Sequence, residues 1–140
     1  MTQELRLFGR NEPQTKVYSD LDLGFVSHPV TGKLVRKTNR DAVKQSVKSL
    51  IMTNFYERPF KPDLGCGIRN LLFENYHPAI IEEMKSAIAG VIRNYEPRAD
   101  IFEIDVDGRP DQNSVSITIV FFVLNDSSPV TLNVLLERIR

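Results

Sequence analysis

Apolar and polar positions divide the chain into a turn-rich opening, a helical middle and a strand-rich end. In the middle, Val43, Val47, Leu50 and Ile51 fall on one stripe at helical spacing. That stripe predicts a helix opening after Thr38 or Asn39, where Thr38-x-x-Asp41 can form a capping box. The other face of this helix carries Arg40, Lys44 and Lys48 at four-residue spacing, either a solvated face or a docking stripe for an acidic partner. Residues 54–67 read as an ordered loop: Pro59, Pro62, Gly65 and Gly67 interrupt regular structure, while Phe55, Tyr56, Phe60 and Leu64 supply apolar anchors. Residues 69–73 add a short helical turn. A long helix is predicted over about 78–94, with proline in its first turn. Ile80 or Ile81, Met84, Ala87 or Ile88, Val91 or Ile92, and Tyr95 give it a wide core face. Pro97 ends it, because proline disfavours helical geometry at Glu96 and has no amide to donate. An extended chain is expected to follow.

Three strands are predicted beyond that point, over 101–107, 114–124 and 130–137. Turns through Asp107-Gly108-Arg109-Pro110-Asp111 and Asn125-Asp126-Ser127-Ser128-Pro129 make an antiparallel meander the simplest arrangement. Phe102, Ile104 and Val106 alternate with Glu103, Asp105 and Asp107, and Val115, Ile117, Ile119, Phe121 and Val123 alternate with their neighbours, so one face is core. A sheet of this kind has two edges, and one is able to accept a partner strand. Residues 1–37 are rich in turn formers, with short extended candidates near Val17-Tyr18 and Gly24-Phe25-Val26, and are expected to wrap the core or a partner. The predicted class is therefore α+β: two main helices packed on a three-stranded antiparallel C-terminal sheet, with an irregular N-terminal segment. The expected organisation is a single domain over 1–140, of which 1–16 is a flexible or partner-ordered segment, since no repeat or linker divides the chain.

Composition agrees with a folded domain: 41% hydrophobic and 26% charged residues lie within the globular range. Eighteen basic residues balance eighteen acidic ones, so no overall field favours nucleic acid or an anionic membrane. Cys66 is the only cysteine, which excludes an internal disulfide and a multi-cysteine metal site. The single cysteine also gives no sign of an oxidising compartment, so folding in a cytoplasm is the simplest inference, and Glu4, Arg6 and Arg10 interrupt the start of the chain, so a signal peptide is not expected. The longest apolar run, 119–124, suits a buried strand and falls far short of the ~18–20 residues that span a bilayer.

Candidate chemistry is sparse. His28 and His77 each precede a proline and have no metal-type ligand at helical spacing, so no metal is expected. Asp20-Leu21-Asp22 lacks the remaining ligands and the glycine turn of a calcium loop. Pro29-Val30-Thr31-Gly32-Lys33 lacks the spacing of a phosphate loop and reads as a turn. Cys66, between two glycines, reads as a buried small side chain, no histidine having a visible reason to lie near it. Glycoside hydrolysis needs only two suitably separated carboxyl groups, and Glu57, Asp63, Glu74 and Glu96 are the candidate acids. Glu57-Arg58 and Glu96-x-Arg98 set a cation beside an acid, which favours ionised carboxylates over a protonated general acid. No catalytic residue, cofactor or small-molecule substrate is assigned.

Several motifs nevertheless follow one another in a specific order: Asp20-Leu21-Asp22-Leu23-Gly24-Phe25, Pro29-Val30-Thr31-Gly32, the helix beginning Asp41-Ala42-Val43, the loop Glu57-Arg58-Pro59-Phe60-Lys61-Pro62-Asp63-Leu64-Gly65-Cys66-Gly67, Leu71-Leu72-Phe73-Glu74, and Tyr95-Glu96-Pro97-Arg98. This order, over about 17–136, resembles the baseplate wedge family of contractile phage tails, to which the gene twenty-five product of T-even phages and a type VI secretion baseplate subunit belong. The resemblance implies a structural virion component, made and assembled in the host cytoplasm, that joins other wedge proteins to the first layer of the tail sheath protein near the tube and hub proteins. It also implies that Glu96, Pro97 and Arg98 pack against the helical core of the wedge, and that the C-terminal sheet, through Leu132, Val134 and Leu136, offers an edge to sheath arms. In an extended segment Glu96 and Arg98 project to the same side and would make opposite-charge contacts on one partner; the alternative is an ordinary helix exit with an exposed pair. Some members of the family have carried a lysozyme label, which keeps a peptidoglycan-degrading glycoside hydrolase as the alternative function.

Overall fold

The computed structural model describes residues 18–74, 77–109 and 113–137. The segment 1–16, Val17, and the Pro110-Asp111 part of the first sheet turn lie outside the described residues. The elements run β1 (Ser19–Leu21), β2 (Arg36–Thr38), α1 (Asn39–Met52), α2 (Ile68–Leu71), α3 (Pro78–Tyr95), β3 (Ala99–Arg109), β4 (Ser114–Val123) and β5 (Pro129–Glu137). The α+β class and the antiparallel β3-β4-β5 meander agree with the sequence.

Helix α1 buries Ala42, Val43, Val47, Leu50 and Ile51, the predicted stripe with one addition. Thr38 stands at its N-cap but makes no side-chain cap bond, so the predicted capping box does not form. Thr38 is also the last residue of β2, paired with Ser19, and that strand fixes its geometry. Helix α3 buries Ile80, Met84, Ile88, Val91 and Ile92. Tyr95, expected in the core, is 38% exposed; its hydroxyl donates to the Asp63 carbonyl (3.1 Å) and staples the end of α3 to the preceding loop.

Both long helices contact the sheet, α3 chiefly on β3 and α1 on β5 and β4. Against them β4 sets Val115, Ile117, Ile119, Phe121 and Val123, all buried. Fully burying a side chain such as Phe121 is worth about 1.5–3 kcal/mol relative to leaving it exposed. In β3 the predicted alternation fails at Phe102, which is 69% exposed. Ile101 pairs with Phe121 and Glu103 with Val120, so Phe102 is the extra residue of a β-bulge; the bulge resets the side-chain phase. Phe102 instead packs edge-to-face on Phe122 across the outer face, with ring centroids 5.9 Å apart.

The N-terminal segment is less irregular than its composition suggests. β1 and β2 pair antiparallel, and the chain between them is pinned by a Ser27–Leu34 bridge and by Lys37 on Asp22 (3.2 Å). In the loop after α1 only Leu64 is a buried anchor; Phe55, Tyr56 and Phe60 are exposed, contrary to expectation. The backbone does the anchoring. Tyr56 N–H donates to the Pro62 carbonyl (2.9 Å), Cys66 N–H to the Thr53 carbonyl (3.0 Å), and Asn54 N–H to the Glu57 carboxylate (2.8 Å). Gly65 is required where it stands, because a Cβ there would lie 2.6 Å from the Asn54 carbonyl carbon.

Candidate functional site

Tyr95-Glu96-Pro97-Arg98 lies where α3 hands over to β3. Glu96 leaves helical geometry (φ −131°, ψ 71°) while its N–H still reaches the Ile92 carbonyl at 2.8 Å. The chain then turns instead of running on extended as predicted. Ala99 N–H donates to the Glu96 carbonyl (3.0 Å), closing a tight turn with Pro97 and Arg98 at its centre. Proline pre-sets the φ of the first central position in such a turn. The turn folds Arg98 back over Glu96, so the two side chains meet each other.

Arg98 Nε and Nη2 donate to the two Glu96 carboxylate oxygens at 2.5 and 2.7 Å, a fork-to-fork pair with charge-assisted bonds. Glu96 is 2% exposed and is one of two buried polar residues among those described. Ser46 of α1 also hydrogen-bonds its carboxylate. The Arg98 guanidinium lies over the Tyr18 ring (5.2 Å to the centroid) and 3.9 Å from Asp20 of β1. Its backbone carbonyl accepts from Leu124 N–H (3.0 Å) just after β4. The ion pair thus ties α3 to α1 and β1, and the turn backbone adds the end of β4.

Burial acting alone would raise the Glu96 carboxyl, but hydrogen bonds from Arg98 and Ser46, with the Arg98 charge, outweigh it and hold the group below the usual carboxylate range. The bond to Glu96 in turn keeps Arg98 more firmly protonated than usual. A carboxylate held this way is no protonated general acid, the form a glycosidase needs for its leaving group. Cys66 is buried, and burial pushes its thiol up to about 12, so it is no nucleophile. His28 Nδ1 accepts from Val30 and Thr31 N–H (3.3 and 3.4 Å) and organises a turn. No cluster of metal-type side chains occurs among the described residues.

The other predicted contact residues sit on β5. Leu132, Val134 and Leu136 are buried, facing the core, while Thr131, Asn133, Leu135 and Glu137 face outward. What these three leucine and valine side chains contribute at the edge is support from beneath. The two edges of the sheet differ. β3 carries Asp100, Glu103, Asp105 and Asp107 and its bulge, devices that discourage further pairing. β5 pairs with β4 over nine consecutive positions without a register shift, and Glu137 is its one charged residue. Among the described residues no strand covers its other side.

Sequence reasoning did not place Tyr18, Asp20 or Ser46 at this site. They reach Arg98 and Glu96 only through the tertiary fold, and no spacing along the chain announces them; Asp20 was visible only in a rejected calcium-loop pattern and as the start of the first family motif.

Residues 37–127 match the family model described as baseplate wedge protein gp25. Baseplate wedge protein gp25 of Enterobacteria phage T4 is 30% identical over 115 residues, 82% of this chain and 86% of that relative. Among solved structures, a protein of Geobacter sulfurreducens described as a tail lysozyme superposes with a TM-score of 0.63 at 19% identity, covering 70% of this chain and 89% of that one. A chain of the anti-feeding prophage baseplate gives 0.61 at 20% identity, covering 84% and 83%. A chain of the post-contraction pyocin R2 baseplate gives 0.55 at 17% identity, covering 81% and 97%. At these identities the three structures share the fold with this chain, and no activity follows from the likeness.

Proposed function

The chain belongs to the baseplate wedge protein gp25 family, and from that premise we propose that it joins other wedge proteins and starts the contractile sheath by offering the free edge of β5 to a strand of the tail sheath protein. Membership makes it a structural subunit of the tail baseplate; the specific partners and the sheath-initiating step are the proposal. In this reading the whole chain works as one wedge domain without a catalytic role, assembled in the host cytoplasm close to the tube and hub proteins. Arg98, with its side chain 28% exposed, is the part of the Glu-Pro-Arg turn that another wedge protein reaches. Glu96 acts from beneath by fixing the guanidinium, and Pro97 by fixing the turn.

The observation that carries the sheath reading is the contrast between the edges: β3 is guarded by acidic residues and a bulge, while β5 is long, regular and nearly uncharged. An open strand of this kind supplies main-chain donors and acceptors for β-augmentation, and Leu132, Val134 and Leu136 hold it flat against the core. Neighbouring amides of a strand point opposite ways, so proline introduced at Asn133 and, separately, at Val134 removes one amide that serves β4 and one that faces outward. The variant that keeps its fold is expected to enter baseplates that carry no sheath when sheath protein is added, scored by electron microscopy. Full-length sheaths on those baseplates would overturn the reading.

A further inference from the structure

The cationic row of α1 is only partly answered within the chain. Arg40 pairs with Asp126 (3.0 Å), which takes it out of the row. Lys37, on β2, is held by Asp22 at 3.2 Å. Lys44, half-buried, and Lys48, exposed, have no carboxylate within ion-pair distance among the described residues. Like charges four apart on a helix slightly destabilise it, so the pair works against the isolated fold.

These two lysines line a groove of about 1060 Å³ whose other wall is the β5 edge at Thr131, Leu132 and Asn133. Asp22, Asp41 and Glu57 also border it; Asp22 is taken up by Lys37 (3.2 Å), the Glu57 carboxylate accepts the Asn54 amide (2.8 Å), and Asp41 makes no ion pair with either lysine. The cations therefore stand beside the backbone that an added strand would pair with. We infer that the segment docking on β5 is acidic on its α1-facing side, with carboxylates at alternate positions meeting Lys44 and Lys48. Residues four apart on a helix are separated by about 6 Å along its axis. Alternate residues of a strand are about 6.8 Å apart, so one face of an extended chain can address both lysines. The backbone edge supplies affinity that is blind to sequence, and the lysines supply the choice of partner and of register. Against any other exposed strand, two desolvated ammonium groups without counter-charges act as a barrier.

This inference rests on the proposed addition of a sheath strand to β5 and adds its chemistry. The test loads whole baseplates with wild-type chain, with Lys44→Gln/Lys48→Gln, with Lys44→Arg/Lys48→Arg, or with the folded proline variant of β5, and counts sheathed particles after sheath protein is added. The glutamine variant is expected to lower initiation roughly tenfold, as loss of two interface charge pairs would. The arginine variant should initiate normally, and wild-type initiation should fall as salt rises. Wild-type initiation by the glutamine variant, alongside failure of the proline variant, would overturn the acidic partner and leave strand addition standing. Normal sheaths from both would overturn the two readings together. Equal failure of the glutamine and arginine variants would also overturn the inference, because charge would then not be what the site recognises.

Discussion

Arg98→Ala isolates the energetics of the Glu96–Arg98 clamp. The substitution leaves a carboxylate in a residue that is 2% exposed, with Ser46 and the backbone amide of residue 98 as its remaining hydrogen-bond partners. Removing one member of a buried ion pair costs about 3–5 kcal/mol. The Arg98 side chain is 28% exposed, so water enters part of the vacated space, and the expected loss at neutral pH is about 2–4 kcal/mol. A domain with about 5–15 kcal/mol of stability survives that loss as a folded species. The chain has no tryptophan, so urea unfolding is best followed by circular dichroism.

The pH dependence supplies the sharper test. In the wild type the folded Glu96 carboxyl is held below its unfolded value. Its stabilising contribution is therefore complete above the unfolded pKa, about 4.3, and is lost as pH falls through the lower folded value. In Arg98→Ala the guanidinium no longer opposes burial, so the folded carboxyl is displaced upward. The variant's folded state then takes up its proton at higher pH than the wild type's does, so the variant loses less stability than the wild type as pH falls through the carboxylate range. The gap between the two proteins should narrow on acidification. A loss below about 1 kcal/mol at pH 7, or a gap that stays constant or widens toward acid, would refute the account of the clamp.

Gly65→Ala is expected to cost at least about 2 kcal/mol in thermal unfolding, because φ is +153° and the new Cβ would meet the Asn54 backbone at 2.6 Å; Gly32→Ala, at φ +63° with nothing within 4 Å, should cost only about 1 kcal/mol. Similar losses at both positions would show that steric approach is not what fixes Gly65. Cys66, buried and with its thiol pushed up to about 12, should resist a disulfide reagent at pH about 8 until the chain opens. Its labelling rate should rise with urea in step with unfolding, and prompt labelling of the native protein would contradict the packing.

Legibility followed the range of the interactions. The α1 stripe, the α3 core face and the β4 alternation depend on one element meeting one surface, and periodicity revealed them. Phe102 was misplaced because a bulge shifts the phase of β3 and nothing local marks the insertion. Tyr56 and Phe60 were read as anchors on hydrophobicity alone, but their loop is held by backbone hydrogen bonds and by glycines at close approach. Tyr95 continued the helical stripe by spacing, yet it is the last residue of α3 and its hydroxyl reaches out to the Asp63 carbonyl of the loop. For the site, Pro97 as a helix stop was legible. The turn that folds Arg98 onto Glu96 was not, because it depends on Ser46, Tyr18 and Leu124 arriving from elsewhere in the chain.

That last difference changes what Glu-Pro-Arg is for. Exposed on an extended segment, the pair would be a contact in its own right, and either residue could be replaced with only local effect. As a clamp, it fixes α1 through Ser46 and β1 through Asp20 and Tyr18 relative to the exit of α3. Helix α1 carries Lys44 and Lys48 beside the β5 edge, so the clamp also sets where those cations stand with respect to that edge. A partner that binds a preformed arrangement is spared the cost of ordering it. The clamp and the edge are thus coupled through α1, and loosening the buried pair should weaken docking at β5 even though Glu96 never touches the docked strand.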